Sequence, residues 1–546
     1  MIIITILIGI VLRYISASFS SPESIMILPT IKRISGLVLI IVCLITESFG
    51  QNINIDPLTG SPIVTIPIYT LSYGKISIPI EIQYNKGAIA VMEGEGDVGM
   101  GWNLTCSAGI YRQVRGLPDD YSGGSLNGWL HAGNAAVIQS FTPTSDDSFG
   151  TTETDENADY NFINGRGYVN DTEPDLYTVS APGLYFQFVL DGAGIPKLLT
   201  YQDVKVTRNA TSFTVQSNSG LTYSFASQEV VDRRSYEYKL GVPDMFTTEY
   251  NYYNSATVNF TQAWKLSNIT DSEGNQVVYT YRSLSQPVGG ADYKVRIKTT
   301  NTLDTLFSTY DRVNPTFIST ITAGNYKASF TWNASNQLHT LSIEDTGLQD
   351  SRVYSFTYQL AKSTTDNKQP YLYRNFLVEL KPVVQCVPQE PYKFSYQNLT
   401  IPLYRDPVSI EMPWKSRINQ DYFGFYNGIA TNNVPQIYFY NGLTDSRRFN
   451  LRTIPSATLT QTLTGSNRNV SSSKIGGGAL VQLTYPTGGN TKIIYERNKY
   501  YDSNTGQVMF GPGQRVSSIL SNGGEAAYGK NASASNAYHL IRKDYT

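Results

Sequence analysis

The stretch DPLTGSPIVTIPIYTLSYGKISIPIEIQY at residues 56–84 decides the fold. In and just beyond it lie three strand-length runs that are rich in β-branched and aromatic residues: 63–69, 76–82 and 89–92. Gly74 and Gly87 fall in the breaks between these runs, where short hairpin turns require a positive φ angle. The pattern predicts two consecutive β-hairpins.

The composition favours β-structure along the rest of the chain. The 546 residues include 40 Tyr and 44 Gly, and only 16% of them are charged. This mixture suits many twisted strands joined by tight turns better than it suits helices. We therefore expect an all-β fold of mostly antiparallel hairpins, which form large curled sheets or several β domains with very little helix.

A degenerate repeat of strand, turn and strand is clearest at residues 266–281. Asp271 can accept a hydrogen bond from the backbone two residues on, Gly274 supplies a positive φ, and apolar residues alternate after it. The pattern recurs at residues 330–341 and 483–495. Because one hairpin cannot bury its apolar face alone, successive copies are expected to pack side by side into a continuing sheet.

Several motifs resemble the amino-terminal region of secreted RHS/YD-repeat proteins of the type found in Bacteroidetes. Besides the opening stretch, they lie at residues 99–104 (GMGWNL), 115–120 (RGLPDD), 173–177 (EPDLY), 185–191 (YFQFVLD) and 421–428 (DYFGFYNG). The resemblance covers most of residues 55–520. This family is related in pattern to the shell proteins of Tc and polymorphic toxin systems.

The resemblance implies a non-enzymatic structural and interaction scaffold, the amino-terminal part of a protein that encapsulates or delivers a toxin. Its partner would be a protein cargo or a carboxy-terminal toxin domain that this chain does not contain. The family's carboxy-terminal Asp-Pro-x-Gly motif is not found in the sequence, so neither a cargo nor self-cleavage is carried over.

The first 50 residues have the pattern of a signal peptide. The basic pair Lys32-Arg33 precedes an apolar run at residues 34–45, and Ser48-Phe49-Gly50 provides a small-x-small cleavage site. We expect cleavage after Gly50, a true start at Met26, and a secreted or cell-surface protein. The competing interpretation of residues 2–12 as an anchor is disfavoured, because neither apolar run reaches the ~18 residues of a spanning helix.

Breaks in the strand pattern suggest a division of the chain into four parts. They are a leader at residues 1–50, an amino-terminal β domain at 51–285, YD-type β layers at 286–400, and further YD-type β layers at 401–546 that read as truncated. Candidate linkers at residues 285–290, 362–370 and 464–478 combine Gly, Pro, Ser and Asn without periodicity.

The charge balance argues against two kinds of interaction. Lys and Arg number 42 against 44 Asp and Glu, and the two signs are interspersed, so the sequence has no basic stripe to bind a phosphate backbone. Nucleic acid is therefore not an expected partner. A stable membrane span is not expected either.

No motif supports a catalytic, cofactor-binding or metal site, and we expect no enzyme. The histidines His131, His339 and His539 are scattered without metal-ligand spacing. His339 follows Leu338 in an alternating pattern, which predicts an exposed strand residue. Residues 94–99 match a dinucleotide fingerprint, but Gly residues and a strand pattern follow them instead of a helix, so we interpret these glycines as turn formers. Residues 471–474 match S-x-x-K without the partner motifs of that family.

Two questions stay open at the sequence level. Cys106 and Cys386 could pair in an oxidising compartment, although lone cysteines so far apart are more often unpaired. The acidic stretch at residues 146–159 could hold calcium through carboxylate oxygens, although a solvated loop is the favoured interpretation.

Two other functions compete with a scaffold. A cell-surface module could bind glycans or proteins through exposed aromatic residues such as Tyr371, Tyr373, Tyr438 and Tyr440. Strand alternation explains the last two equally well, since Tyr residues on one face favour cross-strand pairing. A secreted carbohydrate-active enzyme is supported only by export and β content, because no local pair of carboxylates marks it.

Overall fold

The computed structural model is built almost entirely from β-strands, and its described residues contain one short helix. The structure describes residues 53–123, 126–131, 133–139, 171–239, 250–251, 258–283, 288–297, 303–363, 374–400, 408–410, 420–429, 437–441, 458–463, 467–471, 477–503, 506–522 and 541–544. All of them belong to one unit that spans residues 53–546. The expected all-β fold with very little helix is confirmed.

The elements follow one another along the chain with these bounds. The first strands are β1 (Asn54–Ile55), β2 (Pro62–Tyr73), β3 (Ile76–Tyr84), β4 (Trp102–Leu104), β5 (Gly109–Gln113), β6 (Ser122–Gly123) and β7 (Leu126–Asn127), and helix α1 (Asn134–Gln139) follows them. The next strands are β8 (Leu176–Ala181), β9 (Leu184–Leu190), β10 (Pro196–Leu198), β11 (Val204–Arg208), β12 (Phe213–Ser217), β13 (Thr222–Lys239), β14 (Tyr250–Asn251), β15 (Val258–Thr270), β16 (Gln276–Ser283), β17 (Val288–Ile297) and β18 (Leu303–Val313).

The second half of the chain continues in the same way. Its strands are β19 (Thr316–Ala323), β20 (Tyr326–Trp332), β21 (Leu338–Asp345), β22 (Asp350–Ser363), β23 (Arg374–Val384), β24 (Val387–Pro388), β25 (Tyr392–Tyr396), β26 (Leu399–Thr400), β27 (Val408–Ile410), β28 (Ile437–Asn441), β29 (Thr458–Leu463), β30 (Leu480–Thr484), β31 (Asn490–Asp502), β32 (Gln507–Asn522) and β33 (Ile541–Asp544). Among the described residues, no helix is long and apolar enough to cross a membrane.

The opening stretch forms a four-stranded antiparallel sheet in the order β1-β2-β3-β4. β2 and β3 pair down to Tyr73 opposite Ile76, and Gly74 in the turn between them has a φ of 58°. Every second residue of β3 is buried, as the alternation of apolar side chains requires. The predicted first hairpin is confirmed.

The predicted second hairpin is wrong. Residues 89–92 form no strand, and β3 pairs instead with β4. Ile89 and Val91 are nevertheless buried. The Val91 N–H donates to Gly424 O at 2.8 Å, and the Val91 carbonyl accepts from Arg374 Nη2 at 2.6 Å. The apolar character of this run therefore reflects burial against distant parts of the chain, not pairing in a ladder.

One large sheet contains most of the remaining strands. One series of pairings runs β10-β9-β8-β5-β15. A second runs β15-β16-β19-β20-β21-β22-β23-β25-β30-β31-β32-β33, and β5 and β16 both pair with the same edge of β15. β13 also pairs along β15 and carries β12 and β18 beside it. Both series are antiparallel throughout, while β22 and β27 pair in parallel. The sheet is open, because no pairing between described strands connects β33 back to β10.

A five-residue turn recurs along the chain. Its first residue donates its N–H to the carbonyl of the fifth residue, and the fourth residue, at positive φ, donates back to the carbonyl of the first. Copies within the described residues begin at Asp191, Ser217, Asp271, Asn333, Asp421 and Tyr485. The turns expected within the three sequence repeats are confirmed, and the turns at Asp191, Ser217 and Asp421 are additional.

An acidic or amide side chain at the first position strengthens this turn. Asp271 Oδ1 accepts hydrogen bonds from the N–H groups of Glu273 and Asn275, both at 2.9 Å. Asp191, Asn333 and Asp421 accept bonds from the third and fifth residues of their turns in the same way. The turn thus satisfies backbone donors that would otherwise need water.

The amino-terminal segment, defined as residues 53–108, lies against the large sheet and joins it in a common core. Trp102 is fully buried, with its ring centroid 4.9 Å from that of Phe394 and 5.4 Å from that of Tyr84. The bonds that tie this segment to the sheet include Tyr354 Oη to Ile68 O, Trp102 Nε1 to Tyr396 Oη, Leu480 N to Tyr84 Oη, and Val516 N to Gly60 O. The segment therefore contacts strands from β22 to β32.

Alanine substitutions at Gly74 and Gly274 separate backbone strain from steric contact. Both residues have positive φ, so each substitution is expected to destabilise the fold by roughly 1–2 kcal/mol through strain alone. A Cβ at Gly274 meets nothing within 4 Å, whereas one at Gly74 meets the side chains of Asp271 and Asn275. Gly74→Ala should therefore lower the urea midpoint of unfolding more than Gly274→Ala. Equal midpoints would contradict this packing of the two turns.

Candidate functional site

Two motifs that carry the sequence resemblance meet in a buried cluster of charged side chains. Residues 115–120 follow β5, and residues 171–175 precede β8. β5 and β8 pair antiparallel, with Arg112 directly opposite Tyr177. This register brings the segment that leaves β5 next to the segment that enters β8.

Arg112 lies at the centre of this cluster. It shares the buried face of β5 with Ile110 and is 4% exposed. Its Nε donates to Asp175 Oδ2 at 2.6 Å, and its Nη1 donates to Asp120 Oδ1 at 2.8 Å. The guanidinium carbon also lies 5.6 Å from the centroid of the Tyr177 ring, within the range of a cation–π contact.

Asp119 and Asp175 cap one another's backbone. The N–H of Asp119 donates to Asp175 Oδ2 at 2.9 Å, and the N–H of Asp175 donates to Asp119 Oδ1 at 2.8 Å. Asp119 Oδ2 accepts from Tyr177 Oη at 3.0 Å, and Asp175 Oδ1 accepts from the Arg115 N–H at 2.7 Å. These bonds fasten the two segments to each other.

Asp171 adds a third buried carboxyl group to the cluster. Its Oδ1 accepts from the Thr172 N–H at 2.9 Å, whereas its Oδ2 is buried without a hydrogen-bond partner among the described residues. Gly116, at a φ of 73°, makes room for this side chain, because a Cβ at that position would collide with Asp171 Oδ1. The glycine of the RGLPDD motif therefore has a steric role.

Burial dominates the electrostatics of the three carboxyl groups. It raises the pKa of Asp119 to about 7, and the neighbouring Asp175 carboxylate adds to that rise. Burial likewise raises the pKa of Asp171 to about 7, again with a contribution from Asp175. Burial also raises the pKa of Asp175, although the Arg112 guanidinium opposes the effect. The cluster thus favours a bound proton near neutral pH.

The geometry of this cluster suits a structural role, in which buried carboxyl groups hold two segments together and bind a proton. A hydrolytic pair of carboxylates must contact water and substrate. Asp119 and Asp175 have no exposed surface, and their oxygens are occupied by the bonds above. In the described part of the chain, no group of three or more His, Cys, Asp or Glu side chains is placed to hold a metal ion.

The structure also locates the other residues that the sequence brought forward. Cys106 is buried and Cys386 is exposed, and both are free, so they form no disulfide. Burial raises the pKa of the Cys106 thiol well above its usual range. His339 is an exposed residue of β21, as its alternating context predicts. His131 Nε2 lies 3.1 Å from the Asp120 carbonyl oxygen, at the edge of the cluster.

The glycine-rich stretch at residues 94–99 forms a turn and not a nucleotide-binding loop. Gly96 and Gly99 form an isolated β-bridge, Gly99 has a φ of 89°, and the strand β4 follows where a phosphate-binding helix would have to begin. The interpretation of these glycines as turn formers is confirmed.

Several candidates fall outside the residues that the structure describes. They are the leader at 1–50, the acidic stretch 146–159, Tyr371, Tyr373 and His539, and residues 472–474 of the S-x-x-K match. Tyr438 and Tyr440 lie on β28, whose side chains are likewise outside the description.

A second candidate surface lies at the tip of the β31–β32 hairpin, which we call the aromatic tip. Its exposed side chains are Tyr500, Tyr501, Val508, Met509 and Phe510. Tyr501 stands opposite Val508 in the ladder and both are about two-thirds exposed, at 66% and 65%. The Arg497 guanidinium lies 5.1 Å from the centroid of the Phe510 ring. A group of exposed apolar residues of this kind is typical of an interaction surface.

Sequence reasoning missed both sites for identifiable reasons. Arg112 was not singled out, although it alternates with Ile110 along β5 and so falls on the buried face. Asp119 and Asp175 are 56 residues apart in sequence, and nothing in either motif indicates that they approach. The aromatic tip could have been found from the adjacent apolar residues at 508–510, which break strand alternation.

The comparisons with known proteins give likenesses to solved structures alone. No model of a known protein family matches the sequence, and no curated protein matches it. The structure is similar to the crystal structure of TcdB2-TccC3, with a TM-score of 0.33 and 11% identity over 85% of this chain and 22% of that chain. It is similar to the Tc holotoxin pore of Photorhabdus luminescens, with a TM-score of 0.29 and 10% identity over 86% of this chain and 19% of that chain.

A third likeness is to the N-terminal domain of the effector protein SpvB from Salmonella typhimurium strain LT2. The TM-score is 0.22, with 10% identity over 61% of this chain and 93% of that domain. The chain spans only 16% to 22% of the length of the TcdB2-TccC3 chains it resembles. TM-scores this low carry no argument about activity or partners.

Replacing Arg112 tests whether the cluster holds the fold together. Arg112→Met leaves the Asp175 carboxylate buried without its cation, which should lower the free energy of unfolding by ~3–5 kcal/mol. Arg115→Met is the matched control, because its ion pair with Glu173 at 3.8 Å is largely exposed and should contribute less than ~1 kcal/mol. Urea unfolding at about pH 6 measures both variants. Equal losses would contradict a central role for Arg112.

Proposed function

We propose that the chain is a secreted, non-enzymatic scaffold, the amino-terminal part of an RHS/YD-type protein that encapsulates or delivers a toxin. The observation that carries this proposal is one open sheet of successive hairpins whose core is completed by residues 53–108 of the same chain. A sheet that extends by the addition of hairpins suits a wall that surrounds or supports another polypeptide.

The sequence supports two further parts of this proposal. The signal-peptide pattern at residues 1–50 supports export to the cell surface or the medium. The near-balance of charge, with 42 basic and 44 acidic residues, favours a protein partner over nucleic acid. That partner would be a protein cargo or a carboxy-terminal toxin domain that this chain does not contain.

Co-expression tests the scaffold proposal. The DNA downstream of codon 546 is read in all frames, and the polypeptide that it encodes is produced together with this chain. We expect the two polypeptides to elute together in size-exclusion chromatography, because a scaffold of this kind binds its cargo or the next part of the same protein. The purified chain should also show no turnover on panels of glycoside, ester and peptide substrates. Separate elution together with turnover on one panel would contradict the proposal.

A surface-binding module is the second candidate function, and the aromatic tip is the observation that favours it. Exposed Tyr and Phe rings can stack on sugar rings or pack into a partner's apolar groove. Here Tyr501 and Phe510 are held on a paired hairpin, so their positions are fixed in advance of binding. Both candidate functions require the chain to bind a partner through its exposed surface.

A glycan array tests this second candidate. If the aromatic tip binds glycans, Tyr501→Ala should reduce the array signal to background, because it removes the most exposed ring of the tip. Tyr201→Ala is the matched control, since Tyr201 is 88% exposed but lies outside the tip and should leave the signal unchanged. A wild-type signal at background would remove glycans as the ligand class.

A further inference from the structure

The buried cluster around Arg112 carries more negative than positive charge. Asp119, Asp171 and Asp175 are each at most 3% exposed, and the buried Arg112 guanidinium bonds to Asp175. That guanidinium also bonds to Asp120, whose side chain is 45% exposed. In a site of low dielectric, an uncompensated negative charge is strongly unfavourable. When all three buried acids are ionised, their negative charge therefore exceeds the charge of the guanidinium by two.

The cluster lies where its charge state can affect the backbone. The reciprocal bonds of Asp119 and Asp175, together with the bond from the Arg115 N–H, join residues 115–120 to residues 171–175. These bonds use backbone N–H groups, so separating the two carboxyl groups also exposes the amides. A change in the charge of these carboxyl groups is thus coupled to separation of residues 115–120 from residues 171–175.

We propose that the cluster is a proton-operated clasp, which is closed while one of its buried carboxyl groups is protonated and which opens locally when all of them are charged. The unpartnered Oδ2 of Asp171 supports this assignment, because a neutral carboxyl group tolerates a missing bond far better than a carboxylate does. The clasp operates independently of the scaffold proposal.

Burial and the surrounding charged groups determine whether the cluster becomes more or less stable as the pH rises. Several charged and titratable groups surround the buried acids. Arg112 lies on β5, and Arg115, Asp120 and His131 lie in the segment that follows β5. Glu173 lies just before β8, and Tyr177 lies on β8. Burial raises the pKa of Asp119 and of Asp171 to about 7, from an ordinary value of 3.8. Between these values the folded state binds more protons than the unfolded state, so stability falls as pH rises.

Hydrogen exchange measured by mass spectrometry on the full chain tests the clasp. Peptides covering residues 109–123 and 171–181 are followed from about pH 5 to pH 9, with correction for the intrinsic pH dependence of exchange. Between about pH 5 and pH 7 we expect their protection to fall as the pH rises, by up to about tenfold per pH unit for each proton released, and to level off above pH 7. Peptides from β20 and β21 serve as the internal reference and should keep their protection.

Isosteric variants identify the responsible groups. Asp171→Asn is permanently neutral, so it should flatten the pH dependence while keeping the cluster closed, and Asp119→Asn provides a second, independent variant. Asp120→Asn is the matched control, because Asp120 contacts the same guanidinium from a largely exposed position and should leave the pH dependence intact. Protection that is independent of pH in the wild type would overturn the proposal, as would an unchanged pH profile in both Asp171→Asn and Asp119→Asn.

Discussion

A β-hairpin exposes one apolar face that it cannot bury by itself, and the rest of this structure depends on that constraint. The chain meets it in two ways. Successive hairpins pair laterally into one open sheet, and the amino-terminal segment lies against this sheet in a common core. Trp102 shows the result, because its ring packs between Tyr84 of its own segment and Phe394 of the large sheet.

The five-residue turn explains how such a sheet can be encoded with so little sequence regularity. The turn needs only a hydrogen-bonding side chain or backbone at its first position and a residue that tolerates positive φ at its fourth. Asn333 with Asn336 meets this requirement as well as Asp271 with Gly274 does. Strands on either side can therefore vary in length and composition while the hairpin geometry is kept.

Hairpins and turns that depend on neighbouring residues could be predicted from the sequence. Burial of a segment by distant parts of the chain could not. The β2–β3 hairpin and the turn at Asp271 depend on residues close in sequence, so alternation and turn chemistry were sufficient to predict them. Alternation does not predict the turn at Asp421, because only an isolated bridge between Gln420 and Tyr426 flanks it and no regular strand does. The run at residues 89–92 resembles a strand in sequence because burial by distant segments also selects apolar residues.

The same limit applies to the candidate sites. The RGLPDD and EPDLY motifs were visible as sequence features, but the contact between Asp119 and Asp175 depends on the register of β5 against β8. The buried cluster and the aromatic tip also differ in kind. The first is closed and charged, which suits control of local stability, whereas the second is exposed and apolar, which suits contact with a partner.

Native-state hydrogen exchange in low concentrations of urea tests most directly whether the amino-terminal segment and the large sheet form one cooperative unit. The account predicts that the amides of β3 and those of β23 and β30 exchange through the same opening, with the same free energy and urea dependence. If β2 to β4 exchange through a separate opening of lower free energy while β23 and β30 stay protected, the segment is an independent element and the account is contradicted.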